Sequence, residues 1–149
     1  MRFAYLLLLT ALLSGCASTT RYDFDVRVKN TTSHPITIGF TKTGPPVESQ
    51  WASPENLTNL PPSRQPAHWG ESLPPGKSVS YEIHGEFYKG TYGMLRVYAG
   101  DSPLADVLAI SRGSAARIDL MLEPGNRNNF MIDDSTGKLR GKIIRAEPR

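Results

Sequence analysis

The segment FDVRVKNTTSHPITIGF, residues 24–40, decides the fold class, because apolar and polar side chains alternate on both sides of a turn. A period of two is typical of a strand with one buried face and one solvated face. The apolar members of the pattern are Phe24, Val26, Val28, Ile36, Ile38 and Phe40. The turn-forming residues NTTSHP separate the two runs, and they predict that the two strands form a hairpin.

The same alternation returns in the rest of the chain, separated by turn segments such as PPGK, SRGS, EPGN and DDSTG. No segment after residue 16 keeps the 3.6-residue period of a helix for long. We therefore expect an all-β fold, a single antiparallel β-sandwich of about eight strands, immunoglobulin-like or similar. The predicted strands are residues 24–30, 36–41, 78–84, 94–99, 104–110, 116–122, 128–132 and 139–144.

Residues 43–75 interrupt the strand pattern with a proline-rich segment that contains eight of the twelve prolines. A connection of this length is unusual inside a compact domain unless it is functional or disordered. Both tryptophans lie in it, which favours an ordered excursion packed on the sandwich. Ser53 followed by Pro54 and Glu55 predicts a short helix near residues 54–59.

The N-terminal segment has the pattern of a secretory signal. Arg2 is followed by the apolar run 3–13, two small residues and Cys16, the only cysteine of the chain. The run is too short to span a bilayer, which takes about 20 apolar residues. Residues 13–16, LSGC, resemble the lipobox of bacterial lipoproteins.

This resemblance implies cleavage before Cys16 and attachment of a diacylglycerol to its thiol. Residues 1–15 are then a signal peptide, residues 16–21 a tether and residues 22–149 the sandwich domain. Ala17 after the cysteine, instead of the aspartate of inner-membrane retention signals, favours an outer membrane with the domain facing the periplasm. The expected first partner is the membrane, reached through acylated Cys16.

Charge is concentrated near the C-terminus. The chain has a formal net charge of +3, and residues 138–149 contain five basic residues and one acidic residue. Lys138, Arg140 and Lys142 fall on one face of the predicted last strand. They are candidates for contact with an anionic surface, or they protect an edge strand from aggregation. Nucleic acid is not an expected partner for an exported chain with so small an excess of charge.

The histidines and acidic residues give little support for a catalytic or metal-binding site. His84 shares a strand face with Glu82 and Glu86, which is compatible with a cation site but also with a solvated polar row. His34 and His68 lack ligand-like spacing, and no catalytic serine motif is present. We expect no metal, no cofactor and no enzymatic activity, and a small metal-dependent enzyme ranks as the last alternative.

Aromatic residues offer two interpretations. Trp51 and Trp69 on the proline-rich segment, with Tyr88 and Tyr92 around a KG turn, are candidate binding residues for a carbohydrate or envelope polymer. Alternatively, the two indoles attach the long segment to the core, and exposure of the rings distinguishes the two cases. The sequence thus favours a lipid-anchored cell-envelope protein with a structural or protein-interaction role. Its expected further partner is an envelope protein or a glycan.

Overall fold

The computed structural model describes residues 18–144, so Cys16 and the signal segment lie outside the described residues. The strands are β1 (Thr20–Asn30), β2 (Ile36–Lys42), β3 (Glu71–Leu73), β4 (Ser78–Phe87), β5 (Gly93–Ala99), β6 (Arg117–Met121), β7 (Arg127–Asp133) and β8 (Arg140–Ile143). The α-helices are α1 (Pro54–Leu57) and α2 (Leu104–Ala109), and 3₁₀ turns cover Ser49–Trp51 and Pro62–Arg64. The all-β prediction is confirmed.

The strands form two four-stranded sheets. One sheet, called the open sheet because its outer face is exposed, has the order β4-β1-β7-β8. The other, called the covered sheet because other segments pack on its outer face, has the order β3-β2-β5-β6. All strand pairs are antiparallel except β1 with β7, which is parallel. The prediction of a purely antiparallel arrangement is therefore wrong at this pair. Strand direction alternates along the chain, so two odd-numbered strands that become neighbours run in the same direction.

The main core lies between the inner faces of the two sheets. The open sheet contributes the apolar side chains of the alternating pattern in β1 and β7, and the covered sheet contributes those of β2 and β5. The fully or almost fully buried members include Val26, Val28, Ile36, Ile38, Leu95, Val97, Phe130 and Ile132. Burial of one face of each sheet explains why the period of two predicts the inward residues correctly.

The predicted hairpin of residues 24–40 is wrong, because β1 and β2 belong to different sheets. Alternation identifies the face that turns inward, but it does not identify the hydrogen-bonding partner of the strand. Asn30, which is fully buried, stabilises the segment in which the chain passes from one sheet to the other. Its Nδ2 donates to the carbonyl oxygens of His34 at 3.0 Å and Leu73 at 2.9 Å. The two strands consequently meet across the core instead of edge to edge.

The strand predicted at residues 104–110 is also wrong, since this segment forms α2. Leu104 and Val107, three residues apart, are the buried side chains of the helix. A short apolar run has no period that distinguishes a buried helical turn from a buried strand. None of the helices in the described part of the chain has the length and apolar character needed to cross a membrane.

The proline-rich segment is ordered and lies against the domain. Its predicted helix is confirmed as α1, with a capping box in which Ser53 Oγ accepts from Asn56 N–H at 3.2 Å. Strand β3, which pairs with β2 over three residues, was not predicted within it. A second apolar cluster, formed by Trp69, Tyr98, Leu104 and Val107, lies apart from the main core. The segment and α2 thus cover the outer face of the covered sheet.

Candidate functional site

A cluster of charged side chains lies on the outer face of the covered sheet, beneath α1. This arginine cluster consists of Glu55, Arg96, Arg117 and Asp119. Arg96 on β5 faces Asp119 on β6, and its Nε donates to Asp119 Oδ1 at 2.8 Å. Arg117 Nη2 donates to Asp119 Oδ2 at 2.9 Å. Arg96 Nη1 also donates to Glu55 Oε2 at 3.0 Å, which ties α1 to the sheet.

The two arginines of the cluster are buried, whereas Glu55 is largely exposed to solvent. The exposed fractions of Arg96 and Arg117 are 7% and 9%, whereas the Glu55 side chain is 55% exposed. Burial alone would raise the pKa of Asp119, but hydrogen bonds and charge from Arg117 and Arg96 lower it below its ordinary value. For Glu55, burial is likewise outweighed by hydrogen bonding from Ser53 and by the charge of Arg96, so its pKa is also lowered.

These shifts determine what the arginine cluster can do chemically. A carboxylate whose pKa is lowered is a weaker base at neutral pH than an ordinary carboxylate, and it holds no proton to donate. Each buried charge has an opposite charge within hydrogen-bonding distance, which is the arrangement that buried ions require. The geometry therefore supports a structural role, in which the cluster joins α1, β5 and β6.

The arginine cluster predicts a loss of stability in acid. The carboxyl pKa values are lowered in the folded state relative to ordinary values of 3.8 for Asp119 and 4.5 for Glu55. The unfolded chain therefore binds protons at a higher pH than the folded chain, so the free energy of unfolding falls as the pH drops below about 4.5. Urea unfolding measured between pH 7 and pH 3 should show this decline.

The Asp119→Asn variant should show a smaller decline over the same pH range, because it removes one of the two responsible carboxyl groups. Asp101→Asn is the matched control, since Asp101 is an exposed aspartate outside the cluster. An equally reduced pH dependence in both variants would contradict the assignment to the arginine cluster.

Both tryptophans are buried, in two different layers of the molecule. Trp51, 1% exposed, enters the main core, and its Nε1 donates to the carbonyl oxygen of His84 at 2.8 Å. Trp69, 4% exposed, lies on the outer face of the covered sheet, and its Nε1 donates to the carbonyl oxygen of Ala52 at 2.8 Å. Because neither ring offers a face to solvent, their placement favours the structural interpretation over an aromatic binding platform.

Glycines make room for both indoles. A Cβ atom at Gly39 would lie 2.7 Å from the ring of Trp69, and one at Gly93 would lie 2.8 Å from the ring of Trp51. Gly85 approaches Trp51 similarly closely, with 2.5 Å between a Cβ and Nε1. Real carbon atoms do not approach so closely, so these strands can pack against an indole ring only at positions occupied by glycine.

The other two aromatic candidates lie together in the loop between β4 and β5. Tyr88 is half-buried and Tyr92 is 37% exposed. Tyr92 is fixed by two hydrogen bonds to Thr43, whose N–H donates to the Tyr92 carbonyl oxygen at 3.0 Å and whose Oγ1 accepts from Tyr92 N–H at 3.0 Å. The loop is thereby joined to the start of the proline-rich segment.

The outer face of the open sheet is polar and exposed. Near the start of β1 it carries mostly acidic side chains, and toward the end of β1 it becomes basic. His84 lies opposite Asp23 and Glu82 opposite Asp25 in the strand register, and Arg127 Nε donates to Asp25 Oδ2 at 2.8 Å. Within residues 18–144, no three His, Cys, Asp or Glu side chains converge to hold a metal ion, and Glu82, His84 and Glu86 form an exposed row.

The predicted basic face is divided between a turn and an edge strand. Lys138 precedes β8, whereas Arg140 and Lys142 belong to it, and all three side chains are exposed. Because β8 is an edge of the open sheet, charged side chains here can discourage pairing with another strand. The remaining histidines are separate: His34 Nδ1 lies 3.2 Å from Asp134 Oδ2, and His68 is exposed.

Sequence reasoning did not single out the arginine cluster. Arg96 and Asp119 alternate with apolar neighbours, which is also the pattern of an ordinary solvated strand face. The available signal was the apolar content of the proline-rich segment and of residues 104–110, which implies a second layer that must cover a sheet. Comparisons of this chain with protein-family models, with curated proteins and with solved structures give no match.

Proposed function

We propose that this chain is a lipid-anchored protein of the cell envelope, held to the membrane by acylated Cys16, with a non-enzymatic structural or protein-interaction role. One observation carries the proposal: the lipobox-like LSGC of residues 13–16 stands four residues before the first residue of β1, Thr20. Cleavage before Cys16 leaves a short tether and then the ordered domain, which is the arrangement expected of a lipid-anchored domain. Ala17 supports an outer membrane, with the domain facing the periplasm.

Removal of residues 1–15 leaves no cysteine other than Cys16, so the domain is held together by its core and not by disulfides. Two sheets that share one apolar core support a β-sandwich related in architecture to immunoglobulin-like folds. Sandwiches of this kind are frequent among extracellular and envelope interaction modules, and fold alone does not define function.

The outer face of the open sheet is the surface that best supports an interaction role. The outer face of the covered sheet is largely overlaid by the proline-rich segment and α2, whereas the exposed acidic and basic groups of the open sheet remain available to a partner. Arg27 and Lys29 on β1 lie near Lys142 on β8, separated only by β7, and all three are exposed. A surface divided into acidic and basic halves suits a partner of complementary charge, such as an envelope protein.

Substitution of Cys16 by serine tests the anchor. We expect Cys16→Ser to abolish acylation and to leave uncleaved or mislocalised precursor, because the thiol is the acyl acceptor and the cleavage site is defined by it. Mass spectrometry of the purified N-terminal peptide should find a diacylglyceryl group on Cys16 of the wild-type protein. Ser18→Ala is the matched control, since it changes a nearby serine and keeps the LSGC sequence. An unmodified Cys16, or cleavage at another residue, would refute the proposal.

A further inference from the structure

One end of the domain exposes four large aromatic and apolar side chains. At this proximal end, β1 begins and β2, β4 and β6 finish, as shown by the pairs Thr20 with Phe87, Lys42 with Gly93, and Met94 with Met121. The exposed fractions there are 37% for Tyr22, 63% for Val47, 37% for Tyr92 and 58% for Met121.

The chain leaves the domain at the proximal end toward Cys16. Thr19 is fixed to this end, since its Oγ1 donates to Glu86 Oε2 at 3.2 Å. Ser18, Tyr22, Tyr88 and Lys89 line one small groove beside it. Cys16 stands three residues before Thr19. An extended chain spans at most about 3.6 Å per residue, so the two Cα atoms are no more than about 11 Å apart.

We propose that the proximal end rests on the surface of the bilayer that holds the acyl chains of Cys16, with Tyr22, Tyr92 and Val47 in the headgroup region. This inference rests on the lipid anchor proposed above. Tyrosine is enriched at membrane–water interfaces because its ring is apolar and its hydroxyl group is polar. Lys89, exposed at the tip of the β4–β5 loop, can extend its aliphatic stem along the interface and keep its ammonium group in water.

The tether makes the orientation specific. The link from Cys16 to Thr19, at most about 11 Å long, cannot let a domain of this length turn over, since β1 alone has 11 residues and spans about 33 Å. Lys138 and Arg140 lie at the opposite, distal end, where Arg140 pairs with Asp133 at the end of β7. Electrostatic attraction is screened over about 8 Å at physiological salt, so these residues do not reach the headgroups of the anchoring leaflet.

A polarity-sensitive thiol dye tests this orientation in the full-length, processed protein. Acylation blocks the thiol of Cys16, so an introduced cysteine becomes the only reactive thiol of the chain. The proximal variants are Val47→Cys and Lys89→Cys, and the distal controls are Ser33→Cys and Ser135→Cys, all at exposed positions. Each labelled variant is reconstituted into vesicles of phosphatidylethanolamine and phosphatidylglycerol.

We expect dye emission to shift to shorter wavelength, and to be quenched by lipid-attached quenchers, at positions 47 and 89 but not at positions 33 and 135. Adding Tyr22→Ser and Tyr92→Ser to the Val47→Cys variant should reduce the shift. Equal emission at all four positions of an acylated, vesicle-bound protein would overturn the orientation and leave the anchor intact. A wild-type protein that reacts with the dye at Cys16 would overturn the anchor itself, and the orientation with it.

Discussion

Replacing Trp51 with alanine is expected to lower the free energy of unfolding by about 3–5 kcal/mol, the usual cost of removing a fully buried large aromatic side chain. The indole is in edge-to-face contact with Phe24, Phe40 and Phe87, with ring centroids 5.5, 6.1 and 5.4 Å away. It also satisfies the carbonyl oxygen of His84 at the edge of the open sheet. Truncation therefore leaves a cavity between the sheets and removes a hydrogen bond. Equilibrium urea denaturation measures the loss.

Two further variants test whether this cost arises from the packing of Trp51. Tyr92→Ala, at a partly exposed aromatic residue, should change stability by no more than about 0.5 kcal/mol. Gly93→Ala should destabilise the wild-type protein by about 1–3 kcal/mol through overpacking against Trp51. In the Trp51→Ala background, Gly93→Ala should cost much less, because the ring that its methyl group meets is gone. A near-neutral Trp51→Ala variant would contradict the burial of the ring.

Asp119→Ala is expected to destabilise the protein by a similar amount, about 3–5 kcal/mol, because it leaves two buried arginines without their shared partner. Arg96 and Arg117 both donate to the Asp119 carboxylate. Arg117 Nε and the Tyr98 hydroxyl already have no hydrogen-bond partner among the described residues. Arg117 thus already has one buried donor without an acceptor, and loss of the carboxylate leaves further guanidinium donors of both arginines unpaired.

Glu55→Gln provides the contrast within the same arginine cluster. More than half of the Glu55 side chain is exposed, so water screens its charge and the expected loss is below that of Asp119→Ala. Replacing Arg96 together with Asp119, as Arg96→Met with Asp119→Leu, should be less harmful than Asp119→Ala alone. Only one buried arginine, Arg117, then lacks the Asp119 carboxylate, and Glu55 Oε1 still lies 3.7 Å from its Nη1. Equal losses in Glu55→Gln and Asp119→Ala would contradict the burial argument.

The sequence by itself determined the fold class and most of the strands. Alternation in β1, β2 and β7 reports which side chains are buried, because one face of each strand lies against the core, and this information is local. The cap of α1 was also predictable, since Ser53, Pro54 and Asn56 act within one turn of helix. The prediction of a lipid anchor at Cys16 likewise rests on contiguous residues, namely the apolar run and the cysteine that follows it.

Only the tertiary structure decided which strands pair and what the outer layer covers. The inward face of β1 is the same whether β2 lies beside it or across the core, so the alternation does not indicate which strand pairs with β1. Residues 104–110 become helical because Leu104 and Val107 pack with Trp69 and Tyr98, which are distant in sequence. Arg96 is buried only because α1 and the proline-rich segment fold over it. Such burial depends on contacts between remote segments, and a period read along one strand contains no information about them.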